Sequence, residues 1–250
     1  MRLRRHIAGL LLGCLAALTP MGPALAQTSL IADLDDHLIA ITTGFAGADV
    51  LLFGTTDGPG DVIVVVKGPV DAVDVVRKER VAGIWINRKS LGFQNVPAVY
   101  MMASSKPIEE LLPAPLRANY QMGIENIRLV AVAPEDPELA TFSDALIRNK
   151  QATGLFSAQP ARILFIGDRL FRVNLRVPSS VPTGTYLAEV YLVRDQKIVG
   201  AQTTPLVISK IGFGADIYDF AHRHAAAYGV IAVLVALFAG WLAHLAFRRR

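Results

Sequence analysis

Leu170-Phe171-Arg172-Val173-Asn174-Leu175-Arg176-Val177 alternates apolar with polar side chains, Phe171, Val173, Leu175 and Val177 against Arg172, Asn174 and Arg176. That period of two predicts a strand with one buried and one wet face. Just upstream, Ile163–Ile166 is a second strand candidate, and Gly167-Asp168 between them suits a two-residue hairpin turn. Downstream, Pro182-Thr183-Gly184 turns the chain into Thr185–Val193, and Asp195-Gln196 leads on to Lys197–Ile208. Pro205 inside that last run removes a ladder donor and so argues for an edge strand or a bulge.

The first third reads the same way. His37–Phe45, Asp49–Thr55 and Asp61–Lys67 are rich in Ile, Val, Leu, Phe and Thr, and are separated by Gly44–Ala48 and by Asp57-Gly58-Pro59-Gly60. Val62–Val66 is apolar without alternation, which predicts a strand covered on both faces. Val96–Met102 reads as one more strand, with Pro97 near its start. Many short strands with turns between them predict a mainly β fold, an immunoglobulin-like or related β-sandwich. Whether the two β-rich thirds make one sandwich or two stays open at this point.

A helical insertion interrupts the β pattern at about 105–154. Ser105 is placed to cap a short helix through Leu112, which Pro113 and Pro115 end. Asp136-Pro137-Glu138 is a stronger start, followed by Leu139, Phe142 and Leu146 at helical spacing. Arg148 and Lys150 suit the negative C-terminal end, and Gly154 suits the stop. The helices are expected to cover the sheet.

Both termini point to a membrane. Residues 225–247 are apolar apart from His244, and Arg248-Arg249-Arg250 follow. At about 1.5 Å per residue such a helix crosses a hydrocarbon core of roughly 30 Å. At the other end, Arg2, Arg4 and Arg5 precede an apolar run from Ile7 to Leu18, and Ala24-Leu25-Ala26 is a small-x-small cleavage site. That is the pattern of a signal peptide over residues 1–26. The alternative is a lipoprotein signal at Leu11-Leu12-Gly13-Cys14. With cleavage after Ala26 the mature chain has no cysteine, and so neither a disulfide nor a thiolate metal site. The terminal arginines should stay cytoplasmic, leaving residues 27–212 and the aromatic stretch 213–224 in a bacterial periplasm, held at the inner membrane.

The formal charge of +4 belongs to the ends. Three of the 25 Lys and Arg lie in the signal and three form the tail, which leaves 19 bases against 21 acids between them. Nothing in that balance implies a nucleic-acid partner.

Several motifs occur together and in order: Gly83-Ile84-Trp85-Ile86-Asn87 after Arg77-Lys78-Glu79-Arg80, Val96-Pro97 with Tyr100 before Ser104-Ser105, and Leu170-Phe171-Arg172. Val181-Pro182-Thr183-Gly184-Thr185-Tyr186 and Tyr228-Gly229 leading to Gly240-Trp241 complete the set. On these residues nearly all of the mature chain resembles the uncharacterised putative transmembrane protein family of alphaproteobacteria. The resemblance implies one exported domain with a C-terminal anchor. It also implies a gene neighbourhood with sulfite-exporter-type permeases, and hence such a permease as the expected partner. Where the family pattern has glycine after Asp195 this chain has Gln196, which speaks against a tight type I′ turn there.

Chemistry is sparse. Arg77, Arg80, Arg88 and Lys89, with Lys78, bracket Trp85 and would suit a small anion such as sulfite, though Glu79 dilutes them and strand alternation would split them. Asp33, Asp35, Asp36 and His37 could gather a cation, but no glycine sharpens that loop. Met101, Met102 and Met122 with His222 and His224 are copper-type donors without cluster spacing. No G-x-S-x-G, S-x-x-K, Walker A or G-x-G-x-x-G motif occurs. The expectation is a non-enzymatic protein without a cofactor. In the apolar terminal run, Ala232, Ala236, Gly240 and His244 recur every fourth residue and trace one helix face for a second copy or a multi-pass partner.

Overall fold

Val62, Ile63, Val64, Val65 and Val66 are all buried in β4 (Asp61–Lys67), and their alternation sends them into two different interiors. The structure, a computed structural model, describes residues 29–248. The proposed signal, Cys14, Arg249 and Arg250 therefore lie outside the described residues.

Val62, Val64 and Val66 face a sandwich core. On its far side lies a four-stranded sheet in the order β1 (Leu30–Leu34), β3 (Ala48–Thr56), β11 (Leu170–Val177), β10 (Leu164–Ile166). The near sheet has six strands in the order β2 (Leu38–Ile41), β13 (Lys197–Lys210), β12 (Gly184–Arg194), β4, β7 (Tyr100–Ser104), β9 (Ala161–Arg162). Strands from the first and last thirds alternate as neighbours, β3 against β11 and β4 against β12, so the two β-rich thirds build one sandwich. Phe171, Val173, Leu175 and Val177 enter the core as their alternation requires, and Arg172, Asn174 and Arg176 face outward.

Ile63 and Val65 face a second interior with Tyr100, Met102, Tyr191 and Val193. The helical insertion covers it. Ile108 and Leu111 of α1 (Ile108–Leu111), Leu116 of α2 (Ala114–Asn119), and Phe142 and Leu146 of α3 (Leu139–Ala152) pack there. So does a hairpin of β5 (Val70–Val81) and β6 (Ile84–Pro97), to which β8 (Val130–Ala131) adds a two-residue strand. The insertion is thus partly β.

Several expectations need correction. His37–Phe45 is not one strand: β2 is four residues long, and the polar run before it follows an unpredicted strand, β1. Val96–Met102 is broken at Ala98-Val99, where Gly68 N–H bonds Val99 O and Ala98 N–H bonds Pro69 O, so the chain changes sheets at that corner. Ser105 caps no helix; its hydroxyl donates to Asp61 Oδ1 at 2.9 Å and accepts from Val62 N–H. The loop between β10 and β11 has three residues, since Ile166 pairs with Leu170. Asp195 and Gln196 do form a two-residue loop, and both have positive φ, +48° and +59°, the signature of a type I′ turn. The pull of two long paired strands outweighs the missing glycine. Pro205 sits where β13 has no second neighbour, because β2 joins it only from Val207 on.

After Gly212, α4 (Phe213–Arg223) and α5 (Ala225–Phe247) follow, broken at His224. The 23-residue α5, with mean hydropathy 2.4 over its most apolar window and no burial there, is long and apolar enough to cross a membrane.

Candidate functional site

The β5–β6 arm carries every basic residue singled out around Trp85. Its strands are held in register from Val70↔Pro97 to Val81↔Ile84, with an extra residue, Arg88, between Arg77↔Lys89 and Lys78↔Asn87. The two residues at the tip, Ala82 and Gly83, have φ of +50° and +88°, so they also form a type I′ turn.

Arg77 and Lys89 are direct cross-strand neighbours, and both reach the start of α3. Arg77 Nη2 lies 2.5 Å from Glu138 Oε1, while Lys89 Nζ lies 2.7 Å from Glu138 Oε2 and 2.8 Å from Asp136 Oδ1. Both cations also sit over the Phe142 ring, at 5.2 and 5.7 Å from its centroid. Asp136 accepts the Glu138 N–H as well, but in the turn before the helix: α3 begins at Leu139 with Glu138 as its N-cap, so the expected start at Asp136-Pro137-Glu138 lies two residues too early. Hydrogen bonds from Lys89 and then Arg77 keep the Glu138 carboxyl below its usual range. Lys89 and the Glu138 amide do the same for Asp136, whose partner Lys89 is raised in turn. An incoming oxyanion would compete with two carboxylates already seated on these cations.

The other members of the set diverge. Arg88 faces Glu79 at 3.5 Å, and Arg80 donates to Gly83 O at 3.3 Å. Trp85 stands opposite Arg80 near the tip, 65% exposed, beside Ile84 at 68%. Val81 and Ile86 are exposed too. Past the brace made by Arg77, Lys89, Asp136 and Glu138, the arm shows apolar side chains to solvent on both of its faces.

The remaining candidates are not brought together. Asp33 Oδ1 lies 2.9 Å from His37 Nε2, whereas Asp35 accepts the amides of Leu51 and Asp36 and so serves the turn between β1 and β2. Among the described residues no group of three or more His, Cys, Asp or Glu is placed to hold a metal ion. Met101 packs in the sandwich core, Met102 and Met122 in the second interior, and His222 and His224 lie in the last turn of α4 and at its C-terminal cap. Ala232, Ala236, Gly240 and His244 share the single continuous helix α5.

Sequence reading missed a polar set beneath the helical layer. Tyr191 donates to Glu189 Oε2 at 3.1 Å, and Lys67 Nζ lies 3.0 Å from the same oxygen. Tyr100 donates to Gln121 O at 2.8 Å and accepts the Gly123 amide at 2.9 Å. Burial pushes both phenols well above their ordinary range, which keeps them protonated as structural donors.

Comparison with known proteins adds the family. No curated protein matches the chain, and no solved structure does. Residues 29–249 match the family described as putative transmembrane protein, and the chain belongs to it.

Proposed function

We propose that this member of the putative transmembrane protein family is a non-enzymatic accessory or assembly partner of an inner-membrane protein such as a transporter. Its domain stands on the periplasmic side and α5 crosses the bilayer once, with the terminal arginines in the cytoplasm. The observation that carries the reading is the pairing of one exposed apolar helix with a folded β domain whose charged cluster is closed by its own carboxylates. Such a chain offers surfaces to proteins more readily than a pocket to a small molecule. Affinity purification of the full chain, beside one ending at His224, tests it. One membrane protein retained only by the full chain is the expected result. Identical, empty partner sets would refute it. A reporter active only in the cytosol, fused after Gly212, should be silent; activity there would reverse the orientation.

A further inference from the structure

Among the described residues two apolar surfaces of the domain have no partner, and they lie on its opposite outer layers. One is the arm beyond its brace. β8 pairs with β6 at Phe93 and Gln94, with one further bond from Val132 N–H to Gly92 O, so among the described residues no strand flanks the ribbon from Lys78 to Asn87 on either edge. A two-stranded ribbon alone is marginally stable in water, and this one shows Trp85 and Ile84 on alternate faces. The other is the outer face of the four-stranded sheet, where Ile31, Phe53, Leu164, Ile166 and Leu170 are exposed and adjoin through the strand register. The distal arm is basic, whereas the sheet face is mixed, with Phe53 between Asp33 and Arg172 and Asp49 opposite Arg176, and is acidic only toward β1 and its turn. The distal arm has three bases, Lys78, Arg80 and Arg88, against Glu79. The β1–β3 half of the sheet face, with its turn, has Asp33, Asp35, Asp36 and Asp49, while Arg172 and Arg176 stand on the β11 half.

We propose that the tip of the arm of one copy docks on the Phe53 corner of the four-stranded sheet of a second copy, with Trp85 over Phe53 and the arm's bases toward the acids of β1 and its turn. Like-to-like pairing is disfavoured on both surfaces, because two basic tips repel, as do two sheet faces meeting at their acidic β1 sides. A contact between different patches is heterologous and repeats. Copies anchored in one bilayer share an orientation and are related by rotation about its normal, so the contact closes into a ring or runs as a row in the membrane plane. The inference rests on the anchor and is independent of the accessory role.

Site-directed cross-linking in native membranes tests it on the full chain. The sequence has one cysteine, Cys14, so a Cys14→Ala background reports only introduced thiols. Differently tagged Trp85→Cys and Phe53→Cys chains, co-expressed and oxidised, should give the mixed adduct, and neither alone should cross-link. Asp36→Lys should diminish the adduct, and Lys78→Glu in the other copy should restore it. A Trp85–Trp85 adduct would show arm-to-arm pairing instead and overturn the proposal. So would the absence of any adduct while both variants keep the protease-resistant core of the parent. In a Trp241→Phe chain, where Trp85 is the remaining tryptophan, quenching by brominated lipids would place the tip in lipid and equally overturn it.

Discussion

Two single residues show how local rules are overridden and at what cost. Gln196 occupies φ +59°, a left-handed conformation that costs a side chain with a Cβ roughly 1–2 kcal/mol. Gln196→Gly should therefore stabilise the protein, by ~1 kcal/mol after the added freedom of the unfolded chain is counted. Chemical denaturation of the purified full chain would read that as a raised midpoint with unchanged slope. Gln202 plays a different part. Its amide mimics a strand across the sandwich, donating to Ala32 O at 2.7 Å and accepting the Ala32 amide at 2.9 Å, so it ties β13 to the open edge of β1. Gln202→Ala leaves that part-buried peptide without its main partner and should cost about 1–3 kcal/mol. A compensating ordered water would show as a smaller loss in the same titration. The Gln202 role is not visible in a linear sequence, because it depends on Ala32, 170 residues away along the chain.

At the scale of elements, the arm is the informative case. Its brace depends on two carboxylates that the bound Lys89 and Arg77 hold below their usual range. A group with a depressed folded pKa contributes stability above its unfolded value, and loses it as pH falls through the folded one. The brace should thus be intact at neutral pH and release below the ordinary carboxylate range of about 4. Hydrogen exchange at the Lys78–Asn87 amides should rise there before the sandwich core responds; simultaneous rise in both would count against a separate brace. Raised Lys89 gives the opposite limit, with loss only in strong alkali. The strands that alternate cleanly, β11 above all, or that are wholly apolar, like β4, were legible beforehand, since burial on one or two faces writes itself into the side-chain period. The arm was not. Its run from Arg77 to Lys89, charged at both ends and apolar at the tip, meets no core, so burial selects no period, and hydrogen bonding between the strands does the ordering. The same cause scattered the candidate anion ligands. Cross-strand pairing and the Arg88 bulge decide which bases meet, and carboxylates about fifty residues further on decide what they bind.

For the whole molecule, composition separates a β-rich region from an apolar terminal helix, while connectivity between the sheets required the structure. Neighbouring strands come from opposite ends of the domain, as Val64 beside Val190 shows, and no local pattern encodes such pairings. The anchor leaves its own signature. Shortening it by replacing Val233 and Leu237 with Asp should abolish membrane retention, at about 2.5–3.5 kcal/mol of insertion energy for each charge at the centre; fractionation showing the variant still membrane-bound would mean that another segment holds it. Lastly, β4 is a wall with two rooms. Because Val64 fills one interior and Ile63 the other, the layers possess no seam along which they could separate. Proteases that clip the projecting ribbon should leave the remainder intact, and calorimetry of that remainder should record a single melting event, with Ile63→Ala and Val64→Ala lowering the same peak.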